Sequence, residues 1–368
     1  MLLELSGCIR LVISIVVAIT ISIVIYKPLY LIALKKGFLK KTNGRSSHIG
    51  KVPDFGGILI FSSLFFTFTA LVKFPHKEMQ FFLLAVSTIW VVGIFDDILQ
   101  IRPRYKLVGE IISVFILVVG GEFYLTNLHG LFGIHEINPW FGALFTMFIL
   151  VGIINSINMI DGIDGLCSGI SALIISTFSV WFLMNNYWNY AIIGFSVVAS
   201  LIPFFIRNVF CIKTKIFLGD NGSLMLGLIL GVFVVKFCEL NITENTWQAT
   251  KNAPGIAFCF MSIPVIDTIR LMIYRTSQGR SPFNPDKSHI HHKFLQIFND
   301  SHKKSTFIIL LLQLILIIVG FIFQQYPNEI LISIAFLLFA FMYTITYITA
   351  NKVIIDKVTD DNNTINTK

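Results

Sequence analysis

Phe141-Gly-Ala-Leu-Phe-Thr-Met-Phe-Ile-Leu-Val-Gly-Ile-Ile-Asn155-Ser-Ile-Asn158-Met-Ile160 runs without one charge and then meets Asp161-Gly-Ile-Asp164-Gly165-Leu166. A bilayer core about 30 Å thick takes about 20 apolar residues per helix, so the first part reads as a spanning helix and the second as its polar end. The pattern recurs. Of 368 residues, 55% are hydrophobic and 13% charged, where a soluble domain carries roughly 25% charged residues; mean hydropathy is +0.79. Candidate spans fall at 8–26, 55–73, 79–95, 106–120, 141–160, 165–184, 188–206, 222–238, 253–274, 306–323 and 329–349. In lipid a backbone must satisfy its own hydrogen bonds, so the expected fold is an all-α polytopic transmembrane bundle of about 11 spans, 10 to 11. The segment from Ile9 to Ile25 lacks a small-residue cleavage site and ends in a basic loop, which reads as a retained helix. Five scattered cysteines with no CxxC pair read as small buried hydrophobes.

The charges orient the bundle. Of the 28 Lys and Arg, 23 fall in alternate gaps and the tail, and five (Arg10, Lys73, Lys77, Lys236, Lys251) on the other side. By the positive-inside rule the basic face is cytoplasmic, the amino terminus outside and the carboxyl terminus inside. The net charge of +8 belongs to this face, which would attract anionic lipids and nucleotides. Nucleic acid is a poor partner for basic residues confined to short loops at a membrane. The outer loop Gly121–Trp140 carries no Lys or Arg and reads as a solvated or interfacial connection.

The same inner face gathers the polar chemistry: Asp96-Asp97 closing the third span with Lys106 nine residues on, Asn155 to Asp164 closing the fifth, Phe217-Leu-Gly-Asp220-Asn-Gly-Ser223 opening the eighth, and Pro285 to Lys293 with its His289-Ile-His291-His292 core. Acids, histidines and lysines converging from distant segments point to an active site. Each group also has a plain reading. Asp96 and Asp97 could be helix-end charges, although the macrodipole disfavours carboxylates at a carboxyl end and only Arg102, Arg104 and Lys106 lie near in sequence. Asn155, Asn158 and Asp161 recur every three residues as a stripe that could glue helices. Asp220 could be an N-cap, and the same helix start offers N–H groups suited to phosphate. Asp267 and Arg270, three apart, read as a structural ion pair. No thiolate accompanies the histidines, so zinc is disfavoured. Acids for a metal and bases for phosphate at a membrane surface call for phosphoryl transfer with a lipid partner, and spread Asp and Asn oxygens suit Mg²⁺. Residues 1–350 are then one transmembrane catalytic domain, and 351–368 a short cytoplasmic polar tail.

Asn155-xx-Asn158-xx-Asp161-Gly-x-Asp164-Gly-Leu, Phe217-x-Gly-Asp220-x-Gly-Ser, the Asp96-Asp97 pair with Lys106 and the His289–His292 motif occur in order, preceded by Asn43-Gly-Arg45 to His48 and by Pro53-Asp-Phe-Gly56-Gly57. Together they resemble the polyprenyl-phosphate N-acetylhexosamine-1-phosphate transferases (glycosyltransferase family 4), above all the bacterial undecaprenyl-phosphate GlcNAc-1-phosphate transferases. The resemblance covers roughly residues 30–300, with the last two spans adding length only. It implies transfer of a sugar-1-phosphate, GlcNAc-1-phosphate first, from a UDP-sugar to undecaprenyl phosphate in the bacterial inner membrane. UMP is released and an O-antigen, capsule or teichoic acid glycan begun. It implies that Asp220, with Asn158, holds Mg²⁺ (or Mn²⁺), and that Asp96 and Asp97 handle the lipid phosphate. Asp164 and Phe217 would contact the uridine, and Lys106, His289, His291 and His292 the diphosphate and sugar. Asp161 joins the catalytic set, and Asn155, Arg45 and His48 the substrate-binding set; a homodimer is compatible with all of this. Ser46-Ser47 stands where a basic residue is usual and Asn221 where Thr is common. Rival readings are the phospho-MurNAc-pentapeptide transferase of peptidoglycan synthesis, similar in its Asp motifs, an Asp-rich intramembrane prenyltransferase, and an ion-coupled transporter. The last would place charges near the midplane within repeats, and no repeat is seen.

Overall fold

The computed structural model describes residues 2–36, 39–41, 51–73, 77–242, 250–281 and 289–366. Thirteen α-helices run in sequence among the described residues: α1 (Gly7–Lys36), α2 (Gly56–Leu71), α3 (Lys77–Leu99), α4 (Pro103–Phe115), α5 (Pro139–Met159), α6 (Leu166–Met184), α7 (Trp188–Val209), α8 (Asp220–Leu240), α9 (Ala253–Phe260), α10 (Ser262–Ser277), α11 (Ile290–Ile297), α12 (His302–Ile322) and α13 (Asn328–Asn366). Every expected span lands on one of these helices or, for 253–274, on a pair. Eight helices are long and apolar enough to cross a membrane, and the bent α9–α10 pair would make a ninth. The expected spans 55–73 and 106–120 become shorter pieces: α2 has 16 residues, and α4 has 13 continued by a π-turn, Ile116–Gly120. Large apolar side chains such as Val12, Phe148, Leu337 and Phe341 stand exposed on the outside of the bundle, where lipid rather than water is the fitting solvent. The chain is a multi-pass membrane protein.

Two antiparallel ribbons interrupt the helices, β1 (Leu39–Lys41) with β2 (Lys51–Pro53) and β3 (Asn127–Leu131) with β4 (Ile134–Glu136). The second occupies what the sequence presents as a plain loop. Its reversal needs left-handed backbone at His129, Gly130, Phe132 and Gly133. The expected tail from 351 continues α13 as far as Asn366.

The expected ninth span breaks, with α9 and α10 meeting at 80° around Met261. Pro264 lacks an N–H and its ring displaces the carbonyl four residues earlier, so Phe260 O loses its helical partner. Buried Gln313 on α12 supplies one: its Nε2 donates to Phe260 O at 2.9 Å while its Oε1 accepts from Ile263 N at 3.3 Å.

Helix α8 is the axis. Apolar almost throughout, it buries residues on every face from Asn221 to Cys238, packed between α3 and α5 with α2 and α6 beside them. A Cβ on Gly93 of α3 would fall 2.2 Å from Asn221 Cα, so only glycine lets α3 cross α8 at its first turn.

Candidate active site

The amino-terminal end of α8 is where the acids meet. Gly219, at φ +79°, turns the chain into the helix, and a Cβ there would meet Asp54 Oδ1 and Asp97 Oδ2, each at 2.8 Å. Two carboxylates, one from the turn between β2 and α2 and one from the end of α3, thus flank one glycine. Asp97, at the end of α3, accepts from Asp220 N at 2.8 Å and from Asn221 N at 3.0 Å, and Asn221 Nδ2 donates to it as well. Gly222 N and Ser223 N turn back to Gly219 O. The helix start is therefore capped across the bundle by Asp97. Asp220 is the first helical residue, not the cap, and the N–H groups that the sequence offered to phosphate already have acceptors. The same contact explains a carboxylate at the carboxyl end of α3: the positive end of α8 lies against it.

Lys106 completes this cluster. Its Nζ stands 2.9 Å from Asp96 Oδ2 and 2.7 Å from Asp220 Oδ1, reaching them from the first turn of α4, which Pro103 starts. On α5, Asn158 bonds Ser223 Oγ at 2.8 Å; with its amide turned so that nitrogen faces oxygen, it also donates to Asp220 Oδ1 at 2.7 Å and accepts from Lys106 Nζ at 2.9 Å. Four helices therefore place Asp96, Asp97, Lys106, Asn158 and Asp220 in one group. One turn further along α4 and α5, the buried Glu110 accepts from Asn155 Nδ2 at 2.5 Å. Sequence reasoning missed Glu110; its place four residues after Lys106, on the same helix face, was the available signal.

A second group continues from the first. Phe217 pairs with the entry to α2 (its N donates to Pro53 O and its O accepts from Gly56 N, both at 2.9 Å), which brings Asp54 to the site. Lys215 Nζ lies 5.4 Å from the Phe217 ring and 2.5 Å from Asp164 Oδ2. His302 Nδ1 is 3.2 Å from the same oxygen, and Thr306 Oγ1 donates to Asp164 O at 2.6 Å. Burial opposes ionisation of Asp164, yet the hydrogen bonds from His302 and Lys215 hold its carboxyl below the usual carboxylate range. Lys215, His302 and Thr306 were not singled out from sequence, because their partner is 51 to 142 residues away. Asp161 lies exposed on the turn between α5 and α6.

The histidines pack on that turn. A Cβ at Gly162 would fall 2.1 Å from His291 Nε2, and His291 is buried with neither ring nitrogen hydrogen-bonded. Burial, with His292, His289 and His302 nearby, pushes its pKa well below the ordinary value, so it stays neutral at pH 7. His289 Nδ1 is 3.0 Å from Asp267 Oδ2. The expected Asp267–Arg270 ion pair is present at 2.7 Å but also ties down the histidine motif. Arg45 and His48 lie outside the described residues. The last helices do more than add length, since α12 supplies His302 and Thr306 and α13 packs on α11.

A carboxylate-rich, lysine-bearing cluster at the shared ends of membrane helices is an arrangement suited to a membrane enzyme that handles phosphate. Residues 79–238 match the sequence profile described as "Glycosyl transferase family 4". The chain is 29% identical over 334 residues, 88% of either chain, to the undecaprenyl-phosphate alpha-N-acetylglucosaminyl 1-phosphate transferase of Escherichia coli (strain K12). It is 28% identical to the protein of that name from Salmonella typhi, over 85% of this chain and 84% of that one. Against the Pasteurella multocida (strain Pm70) protein, also of that name, it is 29% identical over 85% of this chain and 87% of that one. The matched region carries Asp96, Asp97, Lys106, Asn158, Asp164 and Asp220. The matched profile and these relatives mark the chain as similar to glycosyl transferase family 4, and it is a sugar-1-phosphate transferase.

Proposed function

We propose that this enzyme transfers GlcNAc-1-phosphate from UDP-GlcNAc to undecaprenyl phosphate on the cytoplasmic face of a bacterial membrane, as the first step of a cell-envelope glycan. The observation that carries the reading is Lys106 bridging Asp96 and Asp220 beside Asp97 at the start of α8. The 23-to-5 division of Lys and Arg supports a cytoplasmic site, an outer amino terminus and an inner carboxyl terminus; counting the short α2 and α4 and the bent pair as spans gives eleven. An oxygen of the prenyl phosphate bonds to the sugar-bearing phosphorus, the bond from that phosphorus to the bridging oxygen breaks, and UMP leaves with the electron pair.

The donor set fits a hard divalent ion. No three His, Cys, Asp or Glu side chains form a closed cage among the described residues, but Mg²⁺ takes one or two protein oxygens and fills its shell with water and phosphate. Asp220 and Asn158 would hold it, at oxygens that now surround the Lys106 ammonium. When bound, Mg²⁺ neutralises charge developing on the diphosphate oxygens. Lys106 supplies a fixed cation to the same end. Asp97 positions Asp220 and Asn221 through the α8 amides, and Asp164, held ionised by Lys215, accepts a hydrogen bond from the base beside Phe217. A phosphate monoester has a second pKa near 6, so the nucleophile is mostly dianionic at pH 7 and needs little from a general base. UMP release by purified protein, with a panel of UDP-sugars including UDP-MurNAc-pentapeptide and with or without prenyl phosphate and Mg²⁺, tests the reading. Turnover of the pentapeptide substrate alone, or no lipid dependence, would overturn it.

A further inference from the structure

The sequence marks Asp267 and Arg270 as a helix-surface ion pair, but an isolated pair has no reason to be buried. Asp267 is fully inaccessible, and removing two charges from water is costly unless every lone pair finds a donor. Its two oxygens are divided among three partners. Oδ1 accepts from Arg270, 2.7 Å from Nη2 and 3.3 Å from Nε. Oδ2 faces His289 Nδ1 at 3.0 Å and takes Ile290 N at 3.4 Å. Arg270 is itself fixed from α13, where Nη1 donates to Tyr343 Oη at 3.0 Å and the guanidinium lies 4.2 Å from the Tyr343 ring. A line of contacts thus runs from the last helix through Tyr343, Arg270 and Asp267 to the first residue of the histidine motif.

The chemistry of that line is directional. A carboxylate already paired with a guanidinium can only accept, so the proton between Asp267 and His289 sits on Nδ1. Fixing one ring nitrogen fixes the other, as when a carboxylate orients a histidine beside a metal or a nucleophile. We propose that Asp267 is a positioning residue: it holds His289 in the Nδ1–H form and in one ring orientation, so that Nε2 serves the diphosphate-sugar. This rests on the phosphoryl-transfer reading above. The segment would otherwise be poorly determined, because His289 precedes a helix of only eight residues and has no side-chain cap bond.

Histidine-selective ¹⁵N NMR on the full-length enzyme in lipid nanodiscs, with His289 assigned through His289→Gln, reads the protonation of each ring nitrogen directly. Nδ1 of His289 should carry a proton in the wild type. Asp267→Asn can turn its amide NH₂ towards Nδ1 and favour the opposite tautomer; UMP release should then fall about 10- to 100-fold in kcat, with KM for the UDP-sugar nearly unchanged. Tyr343→Phe, which keeps the ring and loses only the hydroxyl, should cost a few-fold or less. A wild-type His289 with bare Nδ1 would overturn the proposal, as would an Asp267→Asn enzyme of full turnover. If that variant fails to fold, the wild-type spectrum alone decides. A wild type inert towards every UDP-sugar, with Nδ1 still protonated, would sink the activity reading and leave the Asp267–His289 assignment standing.

Discussion

The two ends of the bundle both contain partly buried ionic groups, and they are built on different plans. At the end away from the site, Glu78 at the start of α3 bonds Lys236 on α8 and the Tyr190 hydroxyl on α7. Glu239 accepts from Thr126 N at 2.7 Å and from Thr126 Oγ1 at 2.9 Å, and Asn328 Nδ2 donates to His129 O. These contacts tie helix ends to one another and to the loops beside them. At the other end, Asp54, Asp96, Asp97 and Asp220 crowd the start of α8, and Lys106 touches two of them. A matched pair holds helices in register, whereas an excess of carboxylate is a cost that a fold retains for a ligand.

If the distinction is right, substitutions at the two ends should separate chemistry from stability. The largest effect is expected for Lys106→Met, which leaves Asp96 and Asp220 without their shared cation. UMP release should fall by about 10²–10³-fold, and a loss under fivefold would break the comparison. Asp97→Asn comes next. As a positioning group its defect should stay constant between pH 6 and pH 9; a defect that shrinks steadily over that range would recast Asp97 as a base. Glu78→Gln, at the opposite end, should lower thermal stability by about 1–3 kcal/mol while the kcat/KM of folded enzyme stays within about twofold.

The smallest effect concerns pH. His291 has its pKa lowered by burial, so below the unfolded value of about 6.5 the unfolded chain binds a proton that the folded one does not. Stability should therefore decline as pH falls below that value, and His291→Gln should flatten this slope in thermal unfolding. Asp164 is depressed too, but its contribution is complete above the unfolded carboxylate value of about 3.9 and is lost only as pH drops towards the lower folded value. It should leave the region around pH 6 unaffected.

Much of the fold was legible because lipid imposes a strong rule: uncharged runs of about 20 residues mark helices whatever their neighbours. The acidic motifs were legible because charge at a helix end in a membrane is rare enough to carry meaning. What stayed hidden depends on partners. Asp97 in sequence is a carboxylate at an unfavourable helix end, and nothing nearby reveals that α8 begins against it 123 residues later. Asp267 shows one neighbour at helical spacing and conceals His289. The bend at Met261 has a local cause in Pro264 that the reading of 253–274 as one span passed over, and the residue that makes it tolerable, Gln313, lies on another helix. Glu110 was hidden by ordinary surroundings, being one acid in an amphipathic run.

The crossing of α3 over α8 at Gly93 has a consequence for how this enzyme can fail. Because Asp97 grips the amides of Asp220 and Asn221, the spacing of the reacting groups is inherited from the closeness of two backbones, and little slack remains to absorb an error. A single added methyl at that seam would be felt first as idle protein: inserted, folded in outline and still embedded in lipid, with its acids a fraction of an ångström out of place.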